Sequence, residues 1–322
     1  MRKISILLGI VIFLCLLLNS NSVSHSSLKF SLIDKTNEPV ILLFAGDVML
    51  SRAIGKIMTR EGFDFPYAKI GTLITSADIS FANLETPVSN RGTNVGSKYS
   101  FRTEPEAIPA LAQSGFDVMS IANNHIWDWG KDAFLDTITI LDQNNIKHIG
   151  GGVDFNTAHS PVLIERNGII FAYLGYSKLV PTFLQASTSV PSVAYPSVEN
   201  IQNDIANARN LGAEVIVVSF HWGTEYETEH DAEQERLAHV AIDAGALIVV
   251  GHHPHVGQEI EKYKDGLIVY SLGNFIFDQN FSEDTRKGLV VEVVIEDGKI
   301  KSYKPIEIKF TKDYQPFVAN SQ

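Results

Sequence analysis

Leu247-Ile248-Val249-Val250-Gly251-His252-His253-Pro254-His255 is the stretch on which the fold turns. Four apolar residues in a row read as a short strand buried on both faces. Three imidazoles then fall within four residues. Packing alone rarely yields such a cluster, because each buried ring carries two nitrogens that need partners. Imidazoles placed this way bind metals or move protons.

The same pattern recurs upstream. Val40–Ala45 is an apolar run that ends in Gly46-Asp47, and Asp78–Ala82 leads into Asn83-Leu84-Glu85. Phe116–Ala122 leads into Asn123-Asn124-His125, and Glu214–Phe220 into His221. Each motif alone has a plainer reading. A Gly-Asp pair makes an Asx turn, and an Asn pair tolerates left-handed backbone. A lone acid after a strand is often solvated or caps a helix, and a lone His often sits satisfied beside a core. In α/β sheets, however, ligands bind outside the carboxyl ends of the strands. Five such ends in chain order are expected to converge on one rim. Carboxylate, amide oxygen and imidazole together suit a divalent Mn, Fe or Zn ion.

Helix-like stretches separate these runs: Arg52–Arg60, Pro66–Ser76, Pro105–Ser114, Asp132–Gln143, Val198–Leu211 and Ala232–Ala244. Thr103 is expected to cap the third, with Glu106 three residues on. Asn167-Gly168 marks a hairpin between Pro161–Arg166 and Ile169–Leu174. After Val250 only strands are expected, over Gln258–Tyr263, Leu267–Phe277, Leu289–Ile295 and Ile300–Phe310. Strands alternating with helices and then antiparallel strands imply an α/β fold, a mixed sheet layered with helices. Leu179–Pro196, with three prolines and a Ser/Thr run, reads as a surface loop or lid. No linker divides residues 29–322, so one domain is expected there.

Composition narrows the function. A hydrophobic content of 45% over 322 residues supports a large core and excludes global disorder. One Cys against ten His excludes an internal disulfide framework and a Cys-based zinc finger. A formal charge of −11 argues against a nucleic-acid binder, whose phosphate contacts need a basic face. Arg2 and Lys3 precede the apolar run Ile4–Leu18, which contains the single Cys15, and a polar stretch follows. Residues 1–28 therefore read as an export signal cut after Ser22 or Ser24, or as a retained membrane anchor. Either way the body is exported. Loss of the two leader cations takes its formal charge from −11 to −13.

Through Gly46-Asp47-Val-Met-Leu, Asn83-Leu-Glu85-Thr-Pro, Ala122-Asn-Asn-His125 with Asp128 and Gly130, His221-Trp-Gly-Thr-Glu225-Tyr, Gly251-His-His-Pro-His255 and Ser271-Leu-Gly-Asn274-Phe, the chain resembles the calcineurin-like metallophosphoesterase superfamily. Within it, it is most similar to the bacterial capsule-synthesis CapA type, the poly-γ-glutamate biosynthesis family. The resemblance runs from about Val40 to Ile295. It implies a four-layer α/β/β/α sandwich with mixed sheets, one or two divalent metals, and work on an anionic capsule polymer or its precursor. Membrane subunits for synthesis or export are the implied partners. By the resemblance, one metal takes Glu85, Asn124, His221 and His253, and the other takes Asp47, Glu85 and His255. His252 fills the gap at the second metal or supports it. Met49 stands where the superfamily's first strand supplies a His. His125 is the implied acid, and Asp128 orients it. Arg102 is expected to clamp a phosphate or carboxylate. Glu225 is expected to orient His221 or touch substrate, and Asn274 to add an amide to the rim. Three readings follow: a capsule-polymer synthesis or export protein, a metal-dependent hydrolase of phosphoester or γ-glutamyl bonds, and an extracellular nucleotidase. For the last, the sequence assigns no aromatic clamp.

Overall fold

Alternation along the first strand sets the layering. Side chains of a strand point alternately to its two faces. In the strand Val40–Val48, Val40, Leu42 and Phe44 join one apolar cluster, while Leu43 and Ala45 join another. The strand is covered on both sides, hence its unbroken apolar run. The computed structural model of the chain describes residues 38–185 and 190–319. The expected leader over 1–28 and residues 186–189 of the expected loop lie outside the described residues. Among the described residues, no helix is long and apolar enough to cross a membrane.

Two mixed sheets form. In the first, Val40–Val48 runs parallel to Ile79–Leu84, which is followed by Val118–Ser120 and Lys147–Ile149. On its other side it pairs antiparallel with Lys287–Glu296, then Lys299–Phe310 and Pro316–Val318 follow. In the second sheet, Ile169–Ser177, Val215–His221, Ile248–His252 and Gly266–Val269 are parallel neighbours. Val162–Arg166 and Ile260–Tyr263 close its edges antiparallel. Phe44, Phe81 and Val293 of the first sheet share a buried cluster with Tyr173, Val217 and Val250 of the second. The sheets therefore pack face to face. Arg52–Glu61, Ile108–Gln113 and Gly130–Gln143 cover the outer face of the first sheet. Val198–Asn210 and Ala232–Ala244 cover that of the second. The result is an α/β/β/α sandwich.

Three expectations are corrected. Leu267–Phe277 is not one strand. Gly266–Val269 belongs to the second sheet and Asn274–Ile276 lies beside Val40–Val48 in the first, because the chain crosses over at Gly273 (φ 65°). Pro66–Ser76 breaks into a short 3-10 turn, Phe65–Tyr67, and one helical turn, Gly71–Ile74. Thr103 caps nothing. The helix Ile108–Gln113 is preceded by the 3-10 turn Pro105–Ala107, and Thr103 Oγ1 lies 3.1 Å from Thr86 Oγ1. The described part of Leu179–Pro196 is irregular apart from Thr182–Leu184 and the two-residue strand Ser192–Val193, which pairs with Gly151–Gly152.

Two glycines bring backbones together just before functional residues. A Cβ on Gly46 would lie 1.9 Å from Gly273 O, and one on Gly251 1.9 Å from Tyr270 O. No other residue fits there without moving a strand. Gly46→Ala is expected to destabilise the protein by about 1–3 kcal/mol through overpacking. Chemical denaturation checks this, and an unchanged midpoint would refute the close approach.

Candidate metal centre

Strand register gathers the polar residues. Asp47 is the ladder partner of Asn83 on one side and of Asn274 on the other. His221 is the ladder partner of His252 in the second sheet. The carboxyl ends of both sheets meet here, with Asp47 Oδ1 3.2 Å from His252 Nδ1.

Asp47 and Glu85 are both completely buried. Among the described residues, neither pairs with a Lys or Arg. Asn83 Nδ2 donates to Asp47 Oδ1 at 2.9 Å and to Glu85 Oε2 at 3.3 Å. His255 places Nδ1 3.3 Å from Asp47 Oδ2 and Nε2 3.6 Å from Glu85 Oε1. Burial pushes the Asp47 carboxyl up, but the His252 and His255 imidazoles outweigh it and hold it well below the usual range. Glu85 goes the other way. Burial, then the charges of Asp47, Glu225 and Asp128, push it well above the ordinary carboxylate value. Burial and the neighbouring His253 hold His221 well below the normal imidazole value. His253 is pushed down to about 3 by burial and by His255. Both rings are thus neutral and ligand-ready at neutral pH.

The donor set fits a divalent cation. Glu85 Oε1, Nε2 of His252 and Nδ1 of His253 are buried without hydrogen-bond partners, and such atoms are costly to leave unsatisfied. Ligand atoms of Asp47, Glu85 and His255 lie within 4.8 Å of one another, as do those of Glu225, His253 and His255. Asn124 Oδ1 and His221 Nε2 face each other at 2.8 Å, and the His221 and His253 rings lie 4.9 Å apart. Asp47, Glu85, Asn124, His221, His252, His253 and His255 therefore lie together at the strand ends. His253 (φ 98°), His255 (φ 59°) and Tyr226 (φ 70°) hold left-handed backbone there. Such strain persists where the surroundings over-determine it.

His125 stands at the edge of this cluster. Its Nδ1 lies 2.7 Å from Asp128 Oδ2, its Nε2 lies 3.8 Å from Glu85 Oε1, and its ring stacks on Phe101 at 4.0 Å. Asp128 is itself fixed by Ser97 Oγ (2.9 Å) and Phe101 N (2.8 Å). Outside His125 and His255 opens a cavity of about 190 Å³, also lined by Arg52, Tyr99, Glu225, Tyr226, Asp278 and Phe281.

The remaining expected residues take other positions. Arg102 does not line this cavity; its guanidinium lies 3.6 Å over the Trp129 ring. Asn274 is buried. Its Oδ1 lies 3.1 Å from His255 Nδ1 and its Nδ2 donates to Thr285 O, so it supports a ligand rather than facing solvent. Glu225 groups with His253 and His255. Sequence reading quoted Asn83 and Asn123 in its strand-end motifs without assigning either a role, and it did not single out Arg52. Asn83 Oδ1 accepts from Asn123 Nδ2 at 3.1 Å, so two buried amides fix the geometry between the carboxylates and His125. An Asn inside the otherwise apolar Ile79–Leu84 was the available signal. Met49 is buried, and its Sδ accepts from Ser51 Oγ at 3.0 Å.

The profile of the bacterial capsule synthesis protein PGA_cap family matches residues 41–279. The chain belongs to this family. It is 31% identical to the capsule biosynthesis protein CapA of Bacillus anthracis over 82% of its own length and 66% of that protein's. It is 32% identical to the PGA biosynthesis protein CapA of Bacillus subtilis over 77% of its length and again 66% of the relative's. The chain thus spans slightly less than two thirds of these relatives. Among solved structures, a hypothetical protein of Thermus thermophilus matches with a TM-score of 0.54 at 16% identity, covering 84% of this chain and 99% of that one. The NAD nucleotidase of Haemophilus influenzae matches with a TM-score of 0.50 at 10% identity, covering 88% of this chain and 54% of that one. These structural likenesses establish the metallophosphoesterase-like fold.

Burial and the neighbouring acids raise Glu85 and so favour its protonated form in the metal-free centre. A cation must expel that proton, so affinity is expected to rise with pH and to weaken as pH falls. Calorimetric titration of Mn²⁺ or Zn²⁺ in buffers of different ionisation enthalpy measures the proton released. Metal uptake with no proton release would contradict this reading of Glu85.

Proposed function

We propose that this protein acts in the synthesis or export of an anionic capsule polymer of poly-γ-glutamate type, with its metal centre working on γ-glutamyl bonds of that polymer. Residues 1–28 export the body or hold it at the membrane, beside membrane subunits of the same machinery. The observation that carries the reading is the pair of buried carboxylates, Asp47 and Glu85, ringed by unpartnered imidazole nitrogens and flanked by a fixed His125–Asp128 dyad. The family and the printed functions of the two CapA relatives supply the polymer.

Asp47, Glu85, Asn124, His221, His253 and His255 would hold the metal, with His252 behind Asp47. When bound, one or two divalent cations supply positive charge and Lewis acidity for an anionic substrate oxygen. The chain's own residues do the rest. Asp128 accepts the Nδ1 proton of His125 and so leaves Nε2 as the position that takes or gives a proton. Phe101 stacks on the ring and fixes its plane. Asn274 and Asn83 hold His255 and Asp47 in place, as supporting groups do for metal ligands.

A second reading, hydrolysis of phosphoesters including nucleotides, is favoured by one observation. The cavity is rimmed by exposed Tyr99, Tyr226 and Phe281, the aromatic surface that sequence reading did not assign. The two readings separate by substrate. Full-length protein loaded with Mn²⁺ or Zn²⁺ is offered oligo-γ-glutamate, p-nitrophenyl phosphate and nucleotides, each with and without chelator. Turnover of the oligomer abolished by chelator supports the proposal; turnover of phosphoesters alone supports the second reading. His125→Ala is expected to cut turnover by about 10²–10⁴-fold while metal content is unchanged.

A further inference from the structure

A second cavity, also of about 190 Å³, lies beside the one outside His125 and His255. Arg52 lines both cavities. The new one is bordered by Ser51, Arg52, Lys56, Thr59, Arg102 and one acid, Glu104. Three cations around one small cavity are unusual in a body of formal charge −13. Arg52 is already committed, since its guanidinium pairs with Asp278 through both Nε and Nη2. Lys56 and Arg102 are not: among the described residues neither has a carboxylate partner, and Arg102 is oriented by its 3.6 Å contact with Trp129. A guanidinium stacked on an indole keeps its in-plane donors free for an anion.

The wall between the cavities is informative. The Arg52 guanidinium lies 5.2 Å from the centre of the Phe101 ring, and the same ring stacks on His125 at 4.0 Å. Arg52, which lines both cavities, and His125, which lines the one at the metal centre, thus contact the same ring.

We infer that Lys56 and Arg102, with Arg52 as the shared wall, form an anion subsite that takes the acidic group of the unit next to the one held at the metal centre. The inference rests on the proposed polymer reading and narrows it. The ligand is an oligomer with a carboxylate on successive units, and a single anion uses only half of the site. A negatively charged protein can select such a chain because the recognition is local. Charges beyond about 8 Å are largely screened at physiological salt. A guanidinium fork and an ammonium then supply the charge-assisted hydrogen bonds.

The test is calorimetric binding to the full-length, metal-loaded protein, with tri-γ-glutamate, tripolyphosphate and inorganic phosphate as probes. Wild type is expected to bind tri-γ-glutamate more tightly than phosphate. The double variant Lys56→Ala, Arg102→Ala is expected to weaken tri-γ-glutamate by about tenfold or more, with equal metal content by elemental analysis. Arg102→Lys, which keeps the charge but loses the planar fork, is expected to fall between the two. Both residues are at least partly exposed, so folding is expected to survive, and circular dichroism checks it. Equal affinity of wild type and double variant for tri-γ-glutamate overturns the subsite, as does failure of the wild type to bind it. A variant that loses tripolyphosphate but not tri-γ-glutamate overturns the carboxylate assignment. Failure of the polymer reading looks different: the oligomer binds and the variants weaken it, but chelator-sensitive turnover is absent.

Discussion

Two carboxylates, Asp47 and Glu85, lie wholly buried with only amides and imidazoles for company. Like charges in a poorly screened interior repel strongly, and each loses the hydration it had in water. The structure answers this in the only ways open to it. The Asn83 amide bridges the two acids, the His252 and His255 rings lie beside Asp47, and Glu85 is driven to keep a proton. None of these removes the excess of acceptors. A divalent cation does, and the unpartnered nitrogens of His252 and His253 stand ready for one. The same constraint explains the burial of His221 and His253, because a ring that stays unprotonated can ligate at neutral pH.

The fold makes this arrangement affordable by fixing it before any ligand arrives. Ladder register sets Asp47 between Asn83 and Asn274, and His221 beside His252. Gly46 and Gly251 let the strands come close enough for the two sheets to share one rim. The left-handed residues His253 and His255 then turn the chain back over that rim. Because the two acids sit on paired neighbouring strands, with Glu85 N donating to Val48 O at 2.8 Å, they cannot drift apart to relieve their repulsion.

Much of this was legible in residues. Unbroken apolar runs such as Val40–Ala45 announced strands buried on both faces, and polar residues at their ends marked the rim. What escaped was governed by distance in space rather than order in sequence. Leu267–Phe277 reads as one strand because apolar residues dominate both ends of it, Leu267–Tyr270 and Phe275–Phe277. Only the crossing at Gly273 divides it between sheets, and no local pattern records that. Arg102 was expected to clamp a phosphate or carboxylate beside the metal-type residues, but it stacks on Trp129, 27 positions away, and lines the other cavity. Arg52 looked like an ordinary first residue of an amphipathic helix. Its partner, Asp278, is 226 residues distant.

Met49 joins the two halves of the molecule's chemistry. By the resemblance drawn from sequence, it stands where a His would be expected, and a thioether is a poor ligand for a hard cation. Here the side chain is turned to another use. Its Sδ accepts from the backbone N and the hydroxyl of Ser51, at 3.2 and 3.0 Å. Ser51 is the residue before the helix Arg52–Glu61 and borders the cationic cavity. A thioether is a weak acceptor, yet in a buried setting it satisfies donors that would otherwise have no partner. Asp278 holds the next residue, Arg52, in its left-handed conformation (φ 53°) by pairing with the guanidinium and accepting from Ala53 N at 3.1 Å. The thioether therefore braces the residue that precedes the helix and borders the cationic cavity.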